Sequence, residues 1–183
     1  MHACEQYEGV SVYRHGEMVK EQYDSLLKAL EAGDCERAPA WLVMEKELVL
    51  PRLIPKGLVA EYLLLHDCGK AFCKEVDSSG KVHFPQHALM SSDVYGKAFY
   101  VEGKDIVQSL ISKDMIMHQI SAEELIAFAK EYESATLLLS SLAEIAANAQ
   151  MFGGRESVNY KIKLKHLERR GKALIKLWKK TSS

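Results

Sequence analysis

Apolar positions along the chain recur mostly at helical spacing. Met18, Val19, Tyr23, Leu26, Leu27 and Leu30 follow one another at the one-, three- and four-residue intervals of an amphipathic stripe. Ser11 is placed to cap that helix and Gly33-Asp34 to end it, which predicts a helix over residues 11–32. His15 falls one turn before Val19, on the inward side of the stripe. A second helix is expected over residues 39–50, with Pro39 in its first turn and Pro51 stopping it. Pro55 then opens a third, whose Leu58, Val59, Tyr62, Leu63 and Leu65 run straight into His66 and Asp67.

After Lys70 the helical pattern breaks. Two short segments, Cys73-Lys74-Glu75-Val76 and Lys81-Val82-His83-Phe84, flank Asp77-Ser78-Ser79-Gly80, whose turn chemistry predicts a β-hairpin over residues 73–84. It reads either as a flap beside His66 and Asp67 or as a surface hairpin with no role. Helical patterning resumes over residues 86–100, with His87 in the first turn, and again over residues 105–118, where Ile106, Val107, Leu110 and Ile111 share a face. Asp114 and His118, four residues apart on that helix, would also share a face, a spacing suited to one metal or to a ligand and its orienting partner. Ser121-Ala122-Glu123-Glu124 is a capping box opening a helix to residue 130. Residues 135–150 form a continuously apolar helix with Glu144 in its middle, where an ionised carboxylate needs a partner or a metal. Phe152-Gly153-Gly154 ends it, a basic helix over residues 156–180 closes the chain, and residues 181–183 are expected to be disordered.

The expected architecture is therefore all-α, a single domain over residues 1–183 with a short hairpin insertion. Composition agrees: 183 residues at 48% hydrophobic content suit one domain with a sizeable core, and only four prolines interrupt helices. Cys4, Cys35, Cys68 and Cys73 show no zinc-type Cys-x-x-Cys spacing and read as reduced thiols of a cytoplasmic protein. No apolar run reaches the roughly 20 residues needed to span a bilayer, and the polar start is no signal peptide. The net charge of −1 conceals an asymmetry, because residues 155–180 carry ten Lys or Arg against two acids. Such a segment either attracts a phosphorylated or nucleic-acid ligand, or is a solvated amphipathic helix packed on an acidic body.

The chemistry concentrates at Leu63-Leu64-Leu65-His66-Asp67-Cys68-Gly69-Lys70. An imidazole and a carboxylate fixed side by side at the end of a core helix are both good ligands for a borderline or hard divalent ion. A His-Asp pair also arises by chance or by capping of carbonyls; the Gly-Lys tail and the spacing of the other histidines add weight. In these residues the chain resembles the HD-domain metal-dependent phosphohydrolases, which place an upstream His, the His-Asp pair and a later carboxylate on successive helices. His15 matches the upstream member, His66-Asp67 the doublet, and Glu144 stands where the family usually has Asp. His87, Asp114 and His118 occupy the interval in which the His-Asp-x-Gly-Lys subset often carries ligands for a second ion; the family more often has His where Asp114 stands.

The resemblance implies an HD-type helical bundle holding one or two divalent transition-metal ions (Mn, Fe, Co, Ni or Zn). Its ligands would be His15, His66, Asp67 and Glu144 for the first ion and His87, Asp114 and His118 for the second. Asp67 would both ligate and orient the nucleophile, and Lys70 would offset charge developing on a phosphoryl group. Arg14, beside His15, is a candidate phosphate contact. The expected substrate is a nucleotide or a phosphorylated nucleic-acid end, with the basic last helix contributing backbone contacts. Two other readings stay open: a non-hydrolytic HD domain that binds a nucleotide or a partner, and a di-iron oxygenase built on similar ligands. His2, His83 and His166 are given no role, and the oligomeric state is open.

Overall fold

The computed structural model describes residues 1–7 and 9–181. It is 66% helix and 5% strand. In chain order the regular elements are β1 (Glu5–Tyr7), β2 (Val10–Ser11), α1 (Val12–Ala32), α2 (Ala40–Val43), α3 (Lys46–Val49), α4 (Lys56–Leu65), β3 (Glu75–Val76), β4 (Val82–His83), α5 (His87–Ala98), α6 (Lys104–Ser112), α7 (Ile116–Gln119), α8 (Ala122–Phe128), α9 (Ser134–Ala147) and α10 (Val158–Thr181). Single 3-10 turns lie at Leu50–Arg52, Lys70–Phe72 and Gln150–Phe152. The residues group into two compact units: Met1–Lys20 with Pro55–Met115, and Glu21–Ile54 with Ile116–Ser183.

In the first unit β1 and β2 form an antiparallel pair, with Gly9 at φ 76° in the connection. The chain then enters α1, where the Arg14 amide donates to Ser11 Oγ at 3.1 Å, the cap that the hydroxyl supplies. Helix α4 is apolar on most of its circumference, burying Val59, Tyr62 and Leu63, and packs on α6, which in turn packs on α5. Two glycines let other backbones press on the C-terminal end of α4. A Cβ on Gly16 would lie 2.7 Å from the Leu64 carbonyl oxygen, and one on Gly69 would lie 2.4 Å from the Ser91 nitrogen. Both are backbone obstacles, so nothing bulkier than glycine fits without moving a helix. The hairpin forms as expected, pairing Glu75 with His83 and Val76 with Val82. Its turn is organised by Asp77, whose Oδ1 accepts from the Ser79 and Lys81 amides at 2.8 and 3.0 Å.

In the second unit α10 packs on α3, α7, α8 and α9, burying Tyr160, Leu167, Gly171, Leu174, Ile175 and Trp178. Trp178 Nε1 donates to the Ala129 carbonyl at 3.0 Å, and Arg170 Nε to that of Ile120 at 3.2 Å, which fixes the helix at its middle and near its C-terminal end. Helix α9 is buried along nearly its whole length; Ser140 and Ser141 both donate to the Leu137 carbonyl, and Thr136 Oγ1 accepts from the Ile54 amide at 3.0 Å. The capping box at Ser121 and Glu124 is present in full at the start of α8.

The structure corrects four local expectations. The helix expected over residues 39–50 is two single turns, α2 and α3, broken at Glu45 (φ −114°, ψ 16°). Only Leu42 and Val49 are buried there, too little apolar contact to hold a longer helix. The helix expected over residues 105–118 ends at Ser112 and resumes as α7, because its apolar stripe runs out after Ile111 and Asp114 is drawn into a side-chain hydrogen bond. Asp114 and His118 therefore do not share one helical face. The β1–β2 pair was not anticipated at all. Thr181, expected in a disordered tail, ends α10 with its hydroxyl on the Trp178 carbonyl, while residues 182 and 183 of that tail lie outside the described residues.

Glycine substitutions test the close approach. Gly69→Ala is expected to lower the unfolding free energy by about 2–3 kcal/mol in urea titration. Gly57→Ala, within α4 and with nothing within 4 Å of the added Cβ, should raise it by about 0.5–1 kcal/mol. Equal effects from the two would contradict the packing described.

Candidate metal centre

The centre in the first unit is built where α4 ends. Leu63 and Tyr62 anchor the last turn in the core, so the residues that follow are held rigidly, and His66 and Asp67 are each 1% exposed. His66 Nδ1 lies 2.8 Å from the Leu63 carbonyl, and His87 Nδ1 lies 3.0 Å from that of Phe84. A carbonyl oxygen only accepts, so each Nδ1 carries the proton and the lone pair of the neutral ring is left on Nε2. Both Nε2 atoms face Asp67, that of His66 at 3.2 Å from Oδ2 and that of His87 at 3.7 Å from Oδ1. His15, wholly buried on α1, brings its own Nε2 to 3.8 Å from Oδ2, its ring centroid 5.4 Å from that of His66. Gly16 is the reason α1 can approach so closely.

Lys70, one turn on, is 5% exposed, and its Nζ donates to Asp67 Oδ2 and to Gln6 Oε1, both at 2.7 Å. The ring of Phe84, just past the hairpin, lies 5.3 Å from the same ammonium. The strands themselves are exposed, so cover for this side comes from Phe84 rather than from the hairpin strands. Burial by itself would push the Asp67 carboxyl up. Positive charge on His66 and His15 when those rings are protonated, together with the Lys70 ammonium, outweighs it and holds the group well below the usual carboxylate range.

The donor set fits a divalent cation. Donor atoms about 2.1 Å from one ion stand roughly 3.0–3.4 Å apart; the His66 gap of 3.2 Å falls in that range, and the His87 and His15 gaps of 3.7 and 3.8 Å lie a few tenths of an ångström beyond it. Asp67 Oδ1 is buried and accepts no hydrogen bond among the described residues, the condition of an oxygen arranged for a cation.

The remaining sequence candidates are placed as follows. Asp114, 5% exposed, accepts a 2.5 Å hydrogen bond from the buried Tyr62 hydroxyl, and the Tyr62 ring meets that of His66 edge-on at 6.3 Å. It thus supports the side of the centre through Tyr62. Arg14 is half-exposed and its guanidinium meets Glu17 at 3.3 Å. In the second unit His118 Nε2 and Glu144 Oε2 are 3.8 Å apart, and Asn148 Nδ2 donates to Glu144 at 3.5 Å.

Sequence reasoning missed Gln6, Tyr62 and Ser91 as members of the site. Ser91 Oγ accepts from the Gly69 amide at 2.9 Å, and its carbonyl accepts from Cys68 Sγ at 3.3 Å, tying the His-Asp-x-Gly-Lys turn to α5. Tyr62 stands four residues before His66 and Ser91 four after His87, so helical periodicity carried both signals. Gln6 had none, since its approach depends on the β1–β2 turn.

No family model, curated protein or solved structure matches the chain. No helix among the described residues is long and apolar enough to cross a membrane.

All four cysteines are free, and burial, followed by the Asp67 charge, pushes the Cys68 thiol up to about 11. Iodoacetamide at roughly pH 8 should therefore modify the exposed Cys35 and leave Cys68 unmodified until denaturant is added. Peptide mass mapping showing equal rates at the two would contradict the enclosure of this turn.

Proposed function

We propose that the protein is a metal-dependent phosphohydrolase of the HD type, acting on phosphate esters of nucleotides or of nucleic-acid ends. The observation that carries this reading is the convergence of the His15, His66 and His87 Nε2 atoms on the buried Asp67 carboxylate, with Lys70 on its flank. With Nδ1 of His66 and His87 bound to carbonyls, uncharged rings present Nε2 as an acceptor to carboxylate oxygens that are acceptors too, and gathering such groups out of water for stability alone would be unfavourable by several kcal/mol. A divalent cation turns the same arrangement into a ligand set.

When bound, such an ion supplies Lewis-acid polarisation of a phosphoryl oxygen and a water of lowered pKa. The chain supplies the rest. His66 and His87 are locked by backbone carbonyls in the tautomer that presents Nε2, which spares any reorganisation on ligation. Asp67 presents Oδ1 while Lys70 holds Oδ2, so the carboxylate cannot rotate. The Lys70 ammonium, desolvated and carrying a full positive charge, is placed to stabilise negative charge building on a phosphoryl group. Gln6 holds Nζ from the other side. One observation favours a second reading: the 2.7 Å Lys70–Asp67 pair already neutralises part of the site, as suits a domain that binds nucleotide without cleaving it.

Metal content of the purified protein, followed by phosphate release from nucleotides and phosphorylated oligonucleotides with manganese, cobalt, nickel or magnesium, separates the two. Stoichiometric metal with release from one substrate class is the expected result; metal-free protein with no release contradicts the proposal. His66→Ala and Asp67→Ala should each abolish metal retention and turnover with helical circular dichroism nearly unchanged. Lys70→Ala should retain metal and lower kcat by about 100-fold.

A further inference from the structure

Helix α10 carries a second chemistry that the metal centre does not use. Its 24 residues include nine Lys or Arg and a single acid, Glu168. Lys165, Arg169, Lys172, Lys176 and Lys180 are all exposed and follow at intervals of four, three, four and four residues. They therefore lie on one face of the helix, over a length of about 22 Å.

Other basic residues of the helix are engaged: Lys161 with Glu156 at 2.8 Å, Lys163 over the Phe152 ring, and Lys179 with Glu45 at 2.5 Å. Within the stripe, Lys172 is 4.0 Å from Glu168. Lys165, Arg169, Lys176 and Lys180 meet no carboxylate among the described residues.

A stripe of this kind works against the helix that bears it. Like charges four residues apart repel by a few tenths of a kcal/mol per pair, and Lys161, Lys163 and Lys165 load the N-terminal part, where the macrodipole favours acids. The first turn has no acidic residue. A solvated surface helix gains from interleaved Glu and Lys, and this one has a single such pair, Glu168 and Lys172. Its inward face, pinned by Trp178 and Arg170, keeps the stripe straight and rigid.

We propose that this face of α10 docks on the phosphate backbone of a nucleic-acid duplex. Charge complementarity identifies the occupant: a line of five cations some 6 Å apart, with Glu168 beside Lys172 as its one acidic neighbour, meets a polyanion with a regularly charged backbone. Membrane insertion does not fit, because the apolar face of the helix is consumed by packing. Single-strand binding relies on exposed aromatic platforms, and the aromatic residues of α10, Tyr160 and Trp178, are both buried. The contacts reach backbone only, so binding is independent of base sequence. The proposal narrows the substrate class above toward nucleic acid but rests on α10 alone and needs no turnover.

Fluorescence anisotropy of the full chain with a labelled duplex of about 20 base pairs tests it, with single strand of equal length and phosphatidylserine vesicles as competitors. The expected result is binding indifferent to sequence, with a slope of log affinity against log salt of about −4, one unit or slightly less per stripe cation engaged. Arg169→Glu with Lys176→Glu should weaken binding at least tenfold and flatten the slope by about two. The milder Arg169→Gln with Lys176→Gln should weaken it in the same direction if the glutamate pair unfolds the helix by circular dichroism. Lys28→Glu with Lys81→Glu, the same charge change at exposed positions elsewhere, should alter affinity less than threefold. Absence of duplex binding at roughly 50 mM salt, equal losses from the stripe and control variants, or tighter capture by vesicles or by single strand would each overturn the proposal.

Discussion

Keeping the Asp67 carboxylate ionised out of water is the constraint on which the first unit depends. Removing such a group from solvent is unfavourable by several kcal/mol, and the balance is recovered only where cations and donors are fixed around it. Lys70 supplies the one full positive charge of the described contacts, at 2.7 Å, and is itself held by Gln6. The imidazoles supply dipoles or charge according to their protonation; the His15 and His87 nitrogens are too distant from the carboxylate for ordinary hydrogen bonds, and the neutral, Nδ1-protonated His66 ring presents it only an acceptor. A pair assembled for stability alone would be simpler: one lysine, one carboxylate, and apolar neighbours. The surplus of imidazoles is the feature on which the proposed metal centre rests.

Backbone geometry makes that surplus attainable. Three chain segments must bring side chains to one carboxylate, and ordinary interhelical distances of 8–10 Å leave little room for short ligands such as His and Asp. Gly16 on α1 and Gly69 after α4 remove the Cβ atoms that would hold the segments apart. Ser91 then ties the turn to α5 through the Gly69 amide, so that His87, one helical turn away, is carried with it. The polar network and the close packing are therefore one device rather than two.

Much of this was legible in the sequence and some was not, for physical reasons. Both ends of α1 and α4 and the starts of α8 and α9 were readable because caps, prolines and apolar spacing agreed, and so was the hairpin, where Asp77 and Gly80 dictate the turn; α9 stops at Ala147, three residues short of the expected end. The breaks at Glu45 and at residues 113–115 were not, because periodicity extends a helix wherever polar residues alternate plausibly, whereas burial decides whether the last turns are held. Asp114 was read as a ligand candidate from its spacing to His118, and the interruption of the helix removes that spacing argument while giving the residue a hydrogen bond from Tyr62. Gln6 was invisible because its role depends on a contact 64 residues distant. The basic character of α10 was plain from composition; that its free cations form a stripe needed the inward face to be known.

Central to the proposed centre is that His15, His66 and His87 act together at Asp67, with His66 and His87 as Nδ1-protonated rings. Nitrogen-15 NMR of the histidine side chains during titration with zinc reads this without any substrate. Nδ1-protonated tautomers are expected for His66 and His87 before zinc, and a concerted saturable shift of Nε2 in all three rings on addition, with His2 and His166 unmoved. Shifts confined to the exposed histidines, or an Nε2-protonated tautomer at His66, would contradict it.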